Sequence, residues 1–172
     1  DVYKRQEDPR MAVVSQGGLF GYADLERGRL LLPPVYQDAG PFREGLAVVR
    51  LGDRFGLIDR DGVWRIDCGR YDYVGPLSGG RALVRRDGLY GFIDRHGREA
   101  IAVRYPFACR FHEGRAVVRI GDKYGYIDTE GRQAIPPVFD RAYRFIGGKA
   151  RVNRCGETFF IDKSDECWLK FD

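Results

Sequence analysis

Apolar and polar residues alternate along this chain in short runs, and the runs return at a near-fixed interval. Ala47-Val48-Val49-Arg50 is followed by Gly52-Asp53 and then by Phe55-Gly56-Leu57-Ile58-Asp59. The same succession spans Ala82 to Asp94 around Asp87-Gly88, and Ala116 to Asp128 around Gly121-Asp122. A first copy runs from Ala12 to Asp24 around Gly17-Gly18, and a worn fifth from Ala150 to Asp162 around Cys155-Gly156. Period-two runs joined by a glycine-bearing pair predict β-hairpins, because two-residue turns need positive φ. Gly21, Gly56, Gly91, Gly125 and the equivalent Phe159 follow one another at 35, 35, 34 and 34 residues. Each lies nine residues after its Ala, which marks the hairpin as one rigid unit.

A third stretch travels with the hairpin. It reads Leu32-Pro33-Pro34-Val35-Tyr36 in the first copy and Ile135-Pro136-Pro137-Val138-Phe139 in the fourth, with Tyr71 and Tyr105 in between. Six residues later stand Phe42, Leu77, Phe111 and Phe145. Proline has no N–H to give to a ladder, so this stretch is predicted as an edge strand and a loop.

A two-residue turn sets the register. Leu51 should face Arg54, Arg50 Phe55, Val49 Gly56, Val48 Leu57 and Ala47 Ile58. Ala47, Val49, Gly56 and Ile58 then share one small apolar face, predicted to be the packed core, with the mid-strand Gly admitting a neighbouring backbone. The opposite face holds Val48, Arg50, Phe55, Leu57 and Asp59. On it Arg and aromatic are cross-strand partners: Arg50 with Phe55, Arg85 with Tyr90, Arg119 with Tyr124. Such a pair can be a local stack, worth about 0.5–1 kcal/mol when exposed. It can also be a row presented to a partner, and these six residues are the candidate binding residues. Asp24, Asp59, Asp94, Asp128 and Asp162 close each hairpin and are expected to cap turns with their own side chains.

These residues resemble the WG-repeat family of bacterial proteins, named for a Trp-Gly pair in each unit. The resemblance runs from Met11 to about Asp162. It departs at the Trp position, which holds Phe20, Phe55, Tyr90, Tyr124 and Thr158. The resemblance implies an all-β repeat array used in binding or scaffolding, with no catalytic residues. The predicted architecture is a tandem array of about 34-residue hairpin repeats stacked as an open solenoid or superhelix, with a β-propeller as the alternative. Residues 1–10 read as a disordered or non-native lead. Residues 11–163 read as five repeats, the first and last partial, and 164–172 as a C-terminal cap or tail in which Trp168 seals the open end.

Composition narrows the function. The chain is 44% hydrophobic, 31% charged and carries a net charge of +4. No apolar run approaches the roughly 20 residues of a membrane-spanning helix, so no membrane insertion is expected. Cys68, Cys109, Cys155 and Cys167 match no zinc spacing and are too sparse for a disulfide scaffold. Free thiols in a reducing compartment are expected, and hence the cytoplasm; a secreted or periplasmic piece of a longer array is the alternative. His96 sits in a turn, and His112 lies near Cys109 without an orienting third group, so no catalytic, cofactor or metal site is expected. The expected partner is another protein, since repeat arrays present extended surfaces rich here in Arg and aromatics. A glycan or cell-wall polymer stacked on some of the 23 aromatics is the alternative. The modest charge and the recurring Asp on the Arg face argue against nucleic acid.

Overall fold

The computed structural model describes residues 10–164 and 167–170, the last four by backbone alone. Every described element is a β-strand, and the strands form five separate antiparallel sheets. The first sheet contains β1 (Met11–Gln16), β2 (Leu19–Asp24) and β3 (Arg29–Tyr36). The second contains β4 (Asp38–Ala39), β5 (Ala47–Leu51), β6 (Arg54–Ile58) and β7 (Trp64–Asp67). The third contains β8 (Tyr73–Ser78), β9 (Arg81–Arg86), β10 (Leu89–Asp94) and β11 (Glu99–Tyr105). The fourth contains β12 (Ala116–Ile120), β13 (Lys123–Ile127) and β14 (Gln133–Phe139), with a single bridge from Ala108 to Val118 in place of the leading strand. The fifth contains β15 (Arg141–Ala142), β16 (Lys149–Arg154), β17 (Glu157–Asp162) and β18 (Cys167–Lys170). Each sheet follows chain order from edge to edge, so every pairing is local.

The hairpin register agrees with the turn argument at every position: Ala47 faces Ile58, Val49 faces Gly56 and Arg50 faces Phe55. At the turns, φ is positive at both Asp87 and Gly88, and at both Cys155 and Gly156, as the I′ geometry requires. The double prolines lie in β3 and β14, both edge strands, where no ladder hydrogen bond is lost.

The packing corrects the two-face reading. Ala47, Val49 and Ile58 are buried against Met11, Val13, Tyr22 and Tyr36 of the first sheet. Val48, Phe55 and buried Leu57 on the opposite face pack with Val74 and Leu77 of the third and with Tyr71 in the loop leading to it. Two further clusters repeat this between the third and fourth sheets and between the fourth and fifth. Both faces of an inner hairpin are therefore core, because each sheet lies between two others. The face left to solvent shrinks to its Arg-bearing end.

The mid-strand glycines admit a neighbouring backbone, as expected. A Cβ on Gly91 would meet Ile101 O and the Val103 backbone at 2.7 Å, and one on Gly125 would meet Ile135 O at 2.7 Å. The crowding strand belongs to the same sheet, where the outer strand shifts register against the hairpin. At Gly56 the obstacles are the Trp64 ring and the Ile66 carbonyl oxygen of β7, the latter at 2.9 Å.

Candidate interaction surface

The five recurring Asp residues cap turns. Asp94 Oδ1 accepts the backbone N–H of His96 at 2.8 Å and of Arg98 at 3.0 Å, while Oδ2 takes the Arg98 guanidinium at 2.8 Å. Asp128 repeats this with Glu130 and Arg132, and Asp162 accepts the Ser164 N–H at 2.8 Å. Burial alone would raise the Asp94 carboxyl. The Arg98 N–H and guanidinium and the His96 N–H outweigh it and hold the group below the usual carboxylate range. These turns lie at the far end of the hairpins from Arg50, Arg85 and Arg119, so the recurring Asp does not neutralise the Arg row as the sequence suggested.

Those three arginines stand beside the hairpin turns, each half-buried and opposite its aromatic: Arg50 across from Phe55, Arg85 from Tyr90, Arg119 from Tyr124. All six candidates thus come to equivalent places on three successive sheets. The leading strand adds a third member to each row, which the sequence reading did not select. Asp38 faces Arg50, and Tyr73 faces Arg85. Phe107 accepts the Arg119 N–H on its carbonyl at 3.0 Å. Tyr73 and Phe107 are large, solvent-exposed aromatics. Both lie nine residues before the repeating Ala, and that spacing was the available signal.

The local-stack reading of the pairs fails for the described residues. Phe107 and Tyr124 are in edge contact with each other, their centroids 5.6 Å apart. The Nε atoms of Arg85 and Arg119 are buried without a hydrogen bond. Arg85 Nε lies 3.4 Å from Asp72 Oδ2, and the Tyr90 hydroxyl followed by Asp72 favours its charged form. The Arg–aromatic stacks are elsewhere: Arg70 and Arg86 lie over Tyr71, Arg104 over Tyr105 and Arg151 over Tyr143. Arg86 is the strand neighbour of Arg85, so the stacking guanidinium projects from the other face.

No group of three or more His, Cys, Asp or Glu side chains gathers as a metal site among the described residues. Cys68, Cys109 and Cys155 are free thiols; the Cys167 side chain lies outside the described residues. Burial pushes the Cys68 thiol up to about 12 and also raises that of Cys109, the opposite of nucleophile activation. Exposed His112 spends its backbone on pairing with Arg115. The Trp168 side chain and residues 1–9 lie outside the described residues as well. No helix among the described residues is long and apolar enough to cross a membrane.

The family model for the WG-containing repeat matches residues 20–54, 55–90, 90–124 and 124–154. The chain belongs to the WG-repeat family. No curated protein matches it at significance. Among solved structures, this WG-repeat chain is similar to Kluyveromyces lactis Hsv2, with TM-score 0.57 and 10% identity over 98% of this chain and 62% of that one. It is also similar to a eukaryotic initiation factor, with TM-score 0.66 and 13% identity over 99% of this chain and 53% of that one. The AfRom2 CNH domain matches with TM-score 0.52 and 9% identity, over 99% of this chain and 71% of that domain. The first two are propeller-like, and the WG-repeat chain spans about three fifths of the one and half of the other. At such identities the likeness is one of fold.

Proposed function

We propose that this chain is a non-enzymatic repeat scaffold that binds another protein through the end bearing Arg50, Arg85 and Arg119. One observation carries the reading: three half-buried guanidiniums at equivalent places on stacked sheets, two of them flanked by the exposed rings of Tyr73 and Phe107. Arg beside aromatics is the composition of interface anchors, since both bury large area at little entropic cost. A propeller-like fold is compatible with such a role. The cytoplasm is the compartment we propose, from the free thiols.

The test is capture on the immobilised chain from source-cell lysate, with and without nuclease, against a triple variant R50E/R85E/R119E whose circular dichroism matches the parent. A protein retained in both lysates and lost with the variant supports the reading. Retention that disappears with nuclease replaces it with nucleic acid.

A second reading has its own support. Tyr73 and Phe107 are exposed aromatics spaced 34 residues apart, the arrangement a polymeric glycan could stack on. Binding to a cell-wall glycan array that falls in Tyr73→Ala and Phe107→Ala but survives the Arg variants would favour it.

A further inference from the structure

The fifth sheet breaks the pattern that lets sheets stack. Toward its next neighbour, each of the first four presents an apolar residue at one position: Val13, Val48, Leu83 and Val117. In the fifth that position is Arg151, exposed to solvent. The Arg–aromatic pair has become Asn153 and Thr158, hydrogen-bonded through Nδ2 and Oγ1 at 3.1 Å. Arg141 of β15 faces Asn153. Together with Tyr143 and Val152 these residues line an open cavity of about 430 Å³.

Two guanidiniums frame this cavity, and none of its described lining residues is acidic. Of the two carboxylates adjacent in sequence to the lining, Asp140 is taken by the Lys123 ammonium and the Cys155 N–H, and Glu157 stands opposite Arg154 on the hairpin. The Arg151 guanidinium carbon lies over the Tyr143 ring, 4.2 Å from its centroid, with its strand tied to Tyr143 by a backbone hydrogen bond. A stacked guanidinium keeps its in-plane N–H edges free for a carboxylate and loses little freedom on binding one. Another apolar sheet pressed on this face would strand that charge without a partner.

We propose that this face docks an acidic peptide segment of a partner protein, with Arg141 and Arg151 pairing its carboxylates and Asn153 and Thr158 lining the floor. The proposal rests on the protein-binding reading above and adds a site and a partner chemistry to it. A nucleic-acid strand fits less well. Affinity for a phosphate backbone is built from many cations along a track, whereas the described lining of this concavity holds two.

The test titrates the full chain into fluorescein-labelled hexaglutamate and follows anisotropy, with hexalysine and a single-stranded oligodeoxynucleotide in parallel. Hexaglutamate should bind in a salt-dependent way. Its affinity should fall at least about tenfold in Arg151→Val, which restores the residue of the second and fourth sheets, and in Arg141→Ala. Arg29→Ala, an exposed cation on the first sheet, should leave binding unchanged. Backbone amide shifts at Arg151 and Asn153 should move on addition. Equal binding by R151V and R141A, no binding at all, or tighter binding of the oligonucleotide would each overturn the proposal. Should hexaglutamate ignore Arg141 and Arg151 while partner capture still depends on Arg50, Arg85 and Arg119, the docking site falls and the scaffold reading stands. Should capture fail while hexaglutamate binding requires Arg151, the reverse holds.

Discussion

Glu113 in the fourth sheet accepts hydrogen bonds from two backbone N–H groups of the fifth, from Gly147 at 2.7 Å and Gly148 at 2.9 Å. Glu44 of the second sheet does the same for Gly80 of the third, at 3.0 Å. Glu44 and Glu113 both have positive φ, at 50° and 51°, which turns the side chain across the gap to the next sheet. The carboxylate acts as an inter-sheet clasp. Glu113→Ala should therefore speed hydrogen exchange at Gly147, Gly148 and the adjoining β16 amides while leaving β9 and β10 protected. Equal acceleration in the third and fifth sheets would show that the clasp is not local.

The seam between sheets makes a sharper prediction. Val117 is buried between the fourth and fifth sheets, at the position that Arg151 occupies on the open face. Val117→Arg should bury an unpaired charge and cost more than about 3 kcal/mol. Because the array is stabilised by neighbours, the fifth sheet should lose protection before the first three. Denaturant unfolding followed by amide exchange checks both, and one concerted transition with uniform loss would argue for a fully cooperative array.

Two glycine substitutions separate sterics from backbone conformation. Gly91→Ala places a methyl 2.7 Å from backbone atoms that cannot step aside. It should cost about 3 kcal/mol or more, in the range of overpacking and strain effects. Gly88→Ala meets no neighbour but holds φ at 77°, and should cost about 1 kcal/mol. Gly56→Ala clashes with the Trp64 ring and also with Ile66 O at 2.9 Å, so only the ring's share of the loss should be recovered in the background Trp64→Ala. Urea midpoints at constant m-value provide the comparison.

The Tyr126 hydroxyl donates to Tyr143 O at 2.7 Å and ties the fourth sheet to the fifth; Tyr22 does so to Gly40 O between the first and second. Leu57 and Phe92 hold the equivalent places without a hydroxyl. Tyr126→Phe should keep the ring packing and lose about 1 kcal/mol, the net worth of a single hydrogen bond. A loss nearer zero would mean that water replaces the donor at Tyr143 O.

Stability should fall in acid, and the direction follows from the capping carboxylates. Asp94, Asp128 and Glu113 are all held below their ordinary values, so the unfolded chain binds protons more readily than the folded one. Their contribution is complete above the ordinary carboxylate range and is lost as pH falls through the lowered folded values. The urea midpoint should be flat from about pH 7 to 5 and drop below about pH 4. Asp94→Asn should lower the plateau and shrink the drop, and an unchanged slope would remove Asp94 from the account.

Much of this chain was legible because its information is local. The hairpin turns, the register of Arg50 on Phe55 and the capping role of Asp94 depend on residues close together in sequence. They obey the φ demands of two-residue turns and the alternation of a strand. The five-fold recurrence then carried the family. Which faces are buried was decided only by stacking. Leu57 and Val48 are core because another sheet lies over them, and nothing in a single hairpin says whether its second face meets water or a neighbour. The contact of Phe107 with Tyr124 and the closeness of Asp72 to Arg85 rest on the leading segment, whose pairing is a tertiary fact. So does the open face of Arg151, whose sequence carries the substitution but not the cavity beside Arg141 that gives it a chemical meaning. Repetition writes the unit into the sequence; the contacts between units, such as Tyr126 with Tyr143 at 17 positions and Glu113 with Gly147 at 34, appear only once the sheets are stacked.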